Sequence, residues 1–394
     1  MPELNTTSEG LEEIFPHDLE SSTPASAFIT DVKHLASYNW IEASTPTIAV
    51  PGSPAKWSPP SGPRQVQRDR GLVYVSQNDA RHPESPLEPL FRALYIEQPT
   101  FDIHSVDVVT DRNNIRKLLG FVEPSLSRDD ALEFTISVEM AAQTAIFSRE
   151  GIATQTISEG DKTSGFGHEF EKAYTTAQVK DTTGHHRIVS YKLGGLSFIV
   201  RHETDGYVEK PRSKAKRRRL TAANLPSGVD SLALRPDSDI VPAPSTESKL
   251  IIRREGQTTP RESTLEIKTR VSHKRLQFAR VAAQLWVSQT PKLVCAYHDD
   301  GKFWDPKVTY VASSIKDWEK NHQDAITKLV ALINHILRVT RSWGGSSIIR
   351  YDPLKKNLVI SRVARKKVLP SDLYVRWENS NPATVAQDAS MHSP

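Results

Sequence analysis

Two short runs decide the fold: Arg201-His202-Glu203-Thr204-Asp205-Gly206-Tyr207 and Thr264-Leu265-Glu266-Ile267-Lys268-Thr269-Arg270. On a β-strand, side chains two apart share a face. Glu203 and Asp205 therefore lie together, and so do Glu266 and Lys268. If the two strands are neighbours, three carboxylates and one ammonium converge. Packed carboxylates repel and raise one another's pKa, so the group is tolerable where a divalent cation neutralises it. Oxygen ligands without cysteine suit magnesium or manganese. A lysine beside the cation can orient a water and stabilise a phosphoryl oxyanion, which completes the parts for metal-assisted phosphodiester hydrolysis. Taken singly, an E-x-D or E-x-K pair is more often a solvated ion pair on an exposed strand.

The rest of the chain narrows the chemistry. It has 394 residues with 37% apolar content and 26 prolines, and its charge is nearly balanced at +4. That excludes a protein basic throughout, but not a local basic groove. One cysteine, Cys295, allows neither a disulfide framework nor a thiolate metal site. No apolar run approaches the roughly 20 residues of a membrane helix, and the acidic start MPELNTTSEGLEEIF lacks a signal core. The expected setting is cytosolic or nuclear, not secreted and not membranous.

Composition divides the length. Residues 1–25 read as a disordered acidic start, 26–377 as one large domain, and 378–394 as a disordered tail. Inside the domain, 209–262 reads as a disordered basic and Pro-rich insertion. Its run KPRSKAKRRRL, 210–220, suits a nuclear import signal or a nonspecific nucleic-acid contact. Ser26 to Pro89 reads as strand-like fragments laid over a larger core. PLFRALYI, DRNNIRKLLGFV, SGFGHEFEKAYTTAQV and FARVAAQLWVSQ carry helical spacing, and 311–341 reads as one long helix or two. HRIVSYKL and LSFIVRHETDGYV flank Gly194-Gly195 as a hairpin. LEFTISVEM, STLEIKTRV, PKLVCAYH, SSIIRY and NLVISRV read as strands. The sum is α+β, a mixed sheet flanked by helices. His185-His186 suggests a metal pair, but neighbours on a strand face opposite ways. His298, Asp299 and Asp300 read as a turn.

An Asp followed at a distance by E-x-K on a strand is the loose signature of the PD-(D/E)XK nuclease fold, and order along the chain makes it more specific. From Phe101 to Trp377 the sequence resembles the DXO-type decapping exoribonucleases, a branch of that fold. DRNNIRKLL, with Arg112, stands for the family's arginine-helix motif. Gly167-His168-Glu169-Phe170-Glu171 matches its G-aromatic-x-F-E motif, with His168 where an aromatic is usual. Glu203-Thr204-Asp205 matches E-x-D, with His202 where glycine usually precedes it, and Glu266-Ile267-Lys268-Thr269 matches E-apolar-K-T. AAQLWVSQTPKLVCAYHDDGKF follows with Gln284 in place, and LPSDLYVRW closes the match. Sixty residues separate Asp205 from Glu266 (266 − 205 − 1), longer than is usual in the family.

The resemblance implies roles. Glu171, Asp205 and Glu266, with the Ile267 carbonyl, would bind two divalent cations, Mg2+ or Mn2+. Glu203 would ligate a cation or hold a water. Lys268 and Gln284 would sit by the scissile phosphate and the attacking water, and Arg112 would hold RNA phosphate. The activity implied is hydrolysis at RNA 5′ ends. It would remove incomplete or non-standard caps, an NAD cap among them, or degrade RNA 5′-to-3′, with a 5′-3′ exoribonuclease as a possible partner. The alternative is a binding scaffold of the same fold without turnover.

Overall fold

The computed structural model describes residues 10–22, 26–126, 132–150, 154–209, 240–241 and 248–378. The run 210–220, most of the expected insertion, the tail from 379 and the first nine residues lie outside the described residues.

The strand Leu196–Glu203 sits in the middle of a 12-stranded mixed sheet. It pairs antiparallel with Thr182–Leu193 through the expected hairpin, register Leu193↔Leu196. The turn needs two residues of positive φ, and Gly194 (+58°) and Gly195 (+87°) supply them. A Cβ on Gly194 would also meet Val330 Cγ1 at 2.5 Å. On its other side the strand runs parallel to Val108–Asp111, which runs parallel to Thr144–Glu150. Three parallel neighbours thus end together, with Glu203, Asp111 and Glu150 at their C-terminal ends.

Both faces of this sheet are covered. Val108, Phe147, Phe198 and Val200 meet the helices Arg112–Val122, Ala279–Ser288 and Gln323–Ser342. Val109, Ile146 and Ile199 meet the helices Glu88–Glu97 and Ser371–Glu378. Alternate residues of one strand therefore serve opposite layers. Arg112–Val122 buries Ile115, Leu118, Leu119 and Val122, the i, i+3, i+4, i+7 stripe of an amphipathic helix.

A second, eight-stranded sheet holds Thr264–Val271 beside the parallel strand Lys292–Asp299. The chain crosses from the first sheet to the second within two residues: Leu196–Glu203 ends, Thr204 and Asp205 intervene, and Gly206–Tyr207 pairs antiparallel with Leu265 and Thr264. The runs 201–207 and 264–270 thus become neighbours at the junction of the sheets. The helix Gly167–Tyr174 packs on the second sheet through Phe170 and Tyr174, one turn apart and stacked at 4.0 Å. The α+β class, with a mixed sheet core flanked by helices, is therefore the fold found.

Several expectations differ from it. Leu11–Ile14, within the stretch read as disordered, forms an edge strand against Asn357–Arg362. Its alternation buries Glu12 and Ile14, and Glu12 is bound by His335. Ile251–Gly256, inside the expected insertion, runs parallel to Thr47–Gly52, burying Leu250 and Ile252. Ile29–Ile41, expected as short strand-like fragments laid over a larger core, is one 13-residue strand inside the main sheet. The helix expected over 164–179 stops at Tyr174, because the β-branched Thr175 and Thr176 pair with Trp57 and Lys56 instead. The 311–341 segment is two helices, Ala312–Asn321 and Gln323–Ser342.

Candidate metal and phosphate site

Glu266 is the hub of the site. It is 2% exposed, on the inward face of Thr264–Val271. Its Oε1 accepts from the ammonium of Lys268, on the same strand face, and from the Gln284 side-chain amide. Its Oε2 lies 3.3 Å from Arg112 Nη1. Asp205 joins from the sheet junction: its Oδ2 accepts the Ile267 N–H at 2.7 Å. Each partner is delivered by a different element. Arg112 opens its helix at the end of Val108–Asp111. Gln284 points off the Ala279–Ser288 helix beside the fully buried Leu285 and Trp286. Glu171 follows the buried Phe170 on Gly167–Tyr174.

That last helix is fixed by a residue the sequence did not single out. Asp69, buried at 8% exposure, accepts the N–H groups of Gly167 and Glu169, both at 2.9 Å. It thus caps the helix from nearly a hundred residues away. Arg112 also has hidden support. Asp111 receives a bidentate pair from the buried Arg201, Nε to Oδ1 at 2.6 Å and Nη2 to Oδ2 at 2.8 Å. Arg201 is completed by the Pro86 carbonyl and the Tyr38 hydroxyl.

The electrostatics follow from this crowding. Burial, then Asp205 and Glu203, raise the Glu171 carboxyl well above its usual range. Burial and the neighbouring Glu266 push Asp205 up to about 7. Burial pushes Glu266 up too, but Lys268 and Arg112 outweigh it and hold the group at about 2. Lys268 stays an ammonium, because Glu266 and Asp205 outweigh its own burial. Glu203 is reached by solvent, yet the protein around it desolvates its carboxyl and raises it.

All the residues expected at the site therefore act on one another, and the donors fit a hard cation. Four carboxylates against Lys268 and Arg112 leave a formal excess of two negative charges when all are ionised, which one divalent cation balances. The side-chain directions do not yet close around a single point: among the described residues no three His, Cys, Asp or Glu side chains are arranged to hold a metal ion as they stand. The oxygens of Glu266 are turned to Lys268, Gln284 and Arg112 instead. Ile267 enters through its N–H. His185 and His186 do face opposite ways, His185 bonded to Asn39 and His186 stacked on Tyr38. His298 packs between Phe166 and Phe303 at a hairpin turn.

The architecture has solved counterparts. S. pombe Rai1 matches with a TM-score of 0.54 at 11% identity, over 90% of this chain and 100% of that one. Candida albicans Rai1 in complex with pU5-Mn2+ gives 0.55 at 10%, over 93% and 99%. Scheffersomyces stipitis Rai1 in complex with (3'-NADP)+ and calcium ion gives 0.54 at 11%, over 96% of each chain. No curated protein is matched by sequence. These likenesses carry the fold, which is the DXO-type nuclease fold that the ordered motifs led us to expect. A family model covers residues 14–377, and the chain belongs to that family, described as Domain of unknown function (DUF8563).

Proposed function

We propose that this chain is a divalent-metal-dependent hydrolase acting at RNA 5′ ends, on incomplete or NAD-type caps, on 5′-phosphorylated RNA, or on both. The observation that carries it is the gathering of Glu171, Glu203, Asp205 and Glu266 around Lys268, Arg112 and Gln284, from five separate elements and the junction between the sheets. Acids this crowded raise the cost of one another's ionisation, and such perturbed groups cluster at functional sites. The Rai1 proteins that share the fold are known in complexes with pU5-Mn2+ and with (3'-NADP)+ and calcium ion, which supports the substrate class.

Glu171, Asp205 and Glu266, with the Ile267 carbonyl, would hold one or two cations of the Mg2+ or Mn2+ type. Such a cation supplies charge neutralisation and lowers the pKa of water when bound. The chain's own groups do the rest. Arg112 binds a phosphate oxygen by its planar fork. Lys268 is kept protonated beside Glu266 and stabilises charge growing on the phosphoryl oxygens. Gln284 orients the attacking water through its amide, and Glu203 holds that water from the cleft side.

The test is incubation with 5′-triphosphate, 5′-monophosphate and NAD-capped RNA in magnesium or manganese. Hydrolysis of at least one, lost in Asp205→Ala, supports the reading. No hydrolysis of any, with the variant indistinguishable, rejects it.

One observation favours a second reading, a scaffold for RNA ends or for a 5′-3′ exoribonuclease without turnover: Glu266 is already engaged on both oxygens. Micromolar metal binding abolished by Glu266→Ala separates the enzyme from the scaffold. A nuclear setting rests on the run 210–220 alone, outside the described residues. No helix among the described residues is long and apolar enough to cross a membrane.

A further inference from the structure

Arg149 stands on the strand next to the one that leads into Arg112. The parallel register Val108↔Ala145, Val109↔Ile146 puts Arg149, near the end of Thr144–Glu150, at the same edge of the sheet as the strand end Asp111, from which the chain enters the helix at Arg112. Glu203 ends the strand on the other side of Val108–Asp111. Glu203, Asp111 and Glu150 close three neighbouring parallel strands about 4.8 Å apart, and Arg149 shares the face of Phe147 and Ile136, the layer that the Arg112–Val122 helix covers. Those ends are where open sheets bind ligands.

No described residue is bonded to the guanidinium of Arg149. Its Nε is buried and has no hydrogen-bond partner, and no ion pair with it forms among the described residues. Its chain neighbour Glu150 is taken by Arg365. Asp79 feels its charge but is bonded to Ser76. A partly buried arginine without partners is unfavourable unless something fills its fork. Past the Glu150–Arg365 pair the surface continues basic, with Lys366 and Lys367 exposed.

We propose that Arg149 is a second phosphate-binding residue. It would hold the RNA backbone one or more phosphates beyond the one at the acid cluster, on a track that continues past the Glu150–Arg365 pair towards Lys366 and Lys367. This rests on the function proposed above. It adds where the body of the RNA runs, which no residue of the acid cluster determines.

The test is fluorescence anisotropy with a 5′-phosphorylated pentauridylate and, by competition, with uridine 5′-monophosphate. Calcium replaces magnesium, and salt is varied. Arg149→Gln weakens pentanucleotide binding about tenfold and lowers the salt slope by about one, as loss of a phosphate contact does. Arg149→Lys keeps the slope while losing part of the affinity. The mononucleotide, which has no second phosphate, binds both variants like wild type. Lys33→Ala, an exposed lysine near the opposite end of the sheet, changes nothing. Thermal melts confirm that the variants fold.

Pentanucleotide binding by Arg149→Gln equal to that of Lys33→Ala overturns the proposal and leaves the hydrolase reading standing. Equal weakening of the mononucleotide overturns it as well, because Arg149 would then serve the acid-cluster phosphate. Failure of the wild type to bind either probe removes both readings.

Discussion

If the acid cluster takes a cation as proposed, adding magnesium or manganese at pH 7 is expected to release protons. Asp205 titrates at about 7 in the folded chain, against an ordinary 3.8, and Glu171 is raised as well. A cation at these carboxylates needs them ionised. With its carboxyl raised to about 7, Asp205 gives up a sizeable fraction of a proton near pH 7, more at pH 6 and less at pH 8, and Glu171 adds to it. Below pH 7 the apparent metal affinity falls about tenfold per pH unit for each proton displaced.

The same shift governs the stability of the cation-free protein. Between about pH 4 and pH 7 the folded chain holds a proton on Asp205 that the unfolded chain has already lost, so stability falls as pH rises through that window and then levels. The difference corresponds to up to about 4 kcal/mol at 1.36 kcal/mol per pKa unit. Glu266, held at about 2, has the opposite slope, but only below its ordinary 4.5, outside most of the window. The assay is titration calorimetry in buffers of different ionisation enthalpy, with Asp205→Asn beside wild type. A chelator-treated melt from pH 5 to pH 8 accompanies it. Metal binding whose heat is the same in every buffer between pH 6 and 7.5 would refute the reasoning. So would proton release undiminished in Asp205→Asn.

Three further outcomes are expected. Lys268→Met lowers the rate of hydrolysis of 5′-phosphorylated RNA by about 100-fold or more, because charge developing on the phosphoryl oxygens loses its fixed cation; single-turnover kinetics with saturating enzyme measures it. Asp111→Ala leaves Arg201 buried without its carboxylate, and chemical denaturation should show a loss of about 3–5 kcal/mol. Asp69→Ala removes the acceptor for the Gly167 and Glu169 N–H groups; it lowers stability by about 1 kcal/mol and weakens metal binding in calorimetry, because the helix that carries Glu171 frays at its start.

The sequence made parts of this site legible for a physical reason. Glu203, Asp205, Glu266 and Lys268 announce themselves because strand periodicity fixes which side chains share a face. Gly194-Gly195 fixes how the first of these strands turns back. What strand periodicity does not reveal is burial on both sides. The last seven residues of Ile29–Ile41 are all buried, and among them Ser37 and Asn39 satisfy themselves on the Pro51 and Ser53 carbonyls. No alternation survives there to mark a central strand. At Leu11–Ile14 the alternation exists, but its inward Glu12 is stabilised by His335, 323 residues away, so the run reads as polar.

The supports of the site were hidden by the same distance effect, and this separates two kinds of functional residue. A ligand is chosen for its chemistry, and residue type with local spacing displays that. A residue that aims a ligand is chosen for where its oxygen or guanidinium lands, and only the fold displays that. Asp69 reaches Gly167 and Glu169 across 98 and 100 residues, and Arg201 reaches Asp111 across 90. In sequence, Asp69 is one charge in QRDRG and Arg201 one charge on a strand. Arg149 belongs with them: on its own strand it is an ordinary terminal arginine. Only the parallel pairing with Val108–Asp111 brings it to the sheet edge from which Arg112 starts its helix, with a fork that no described residue fills.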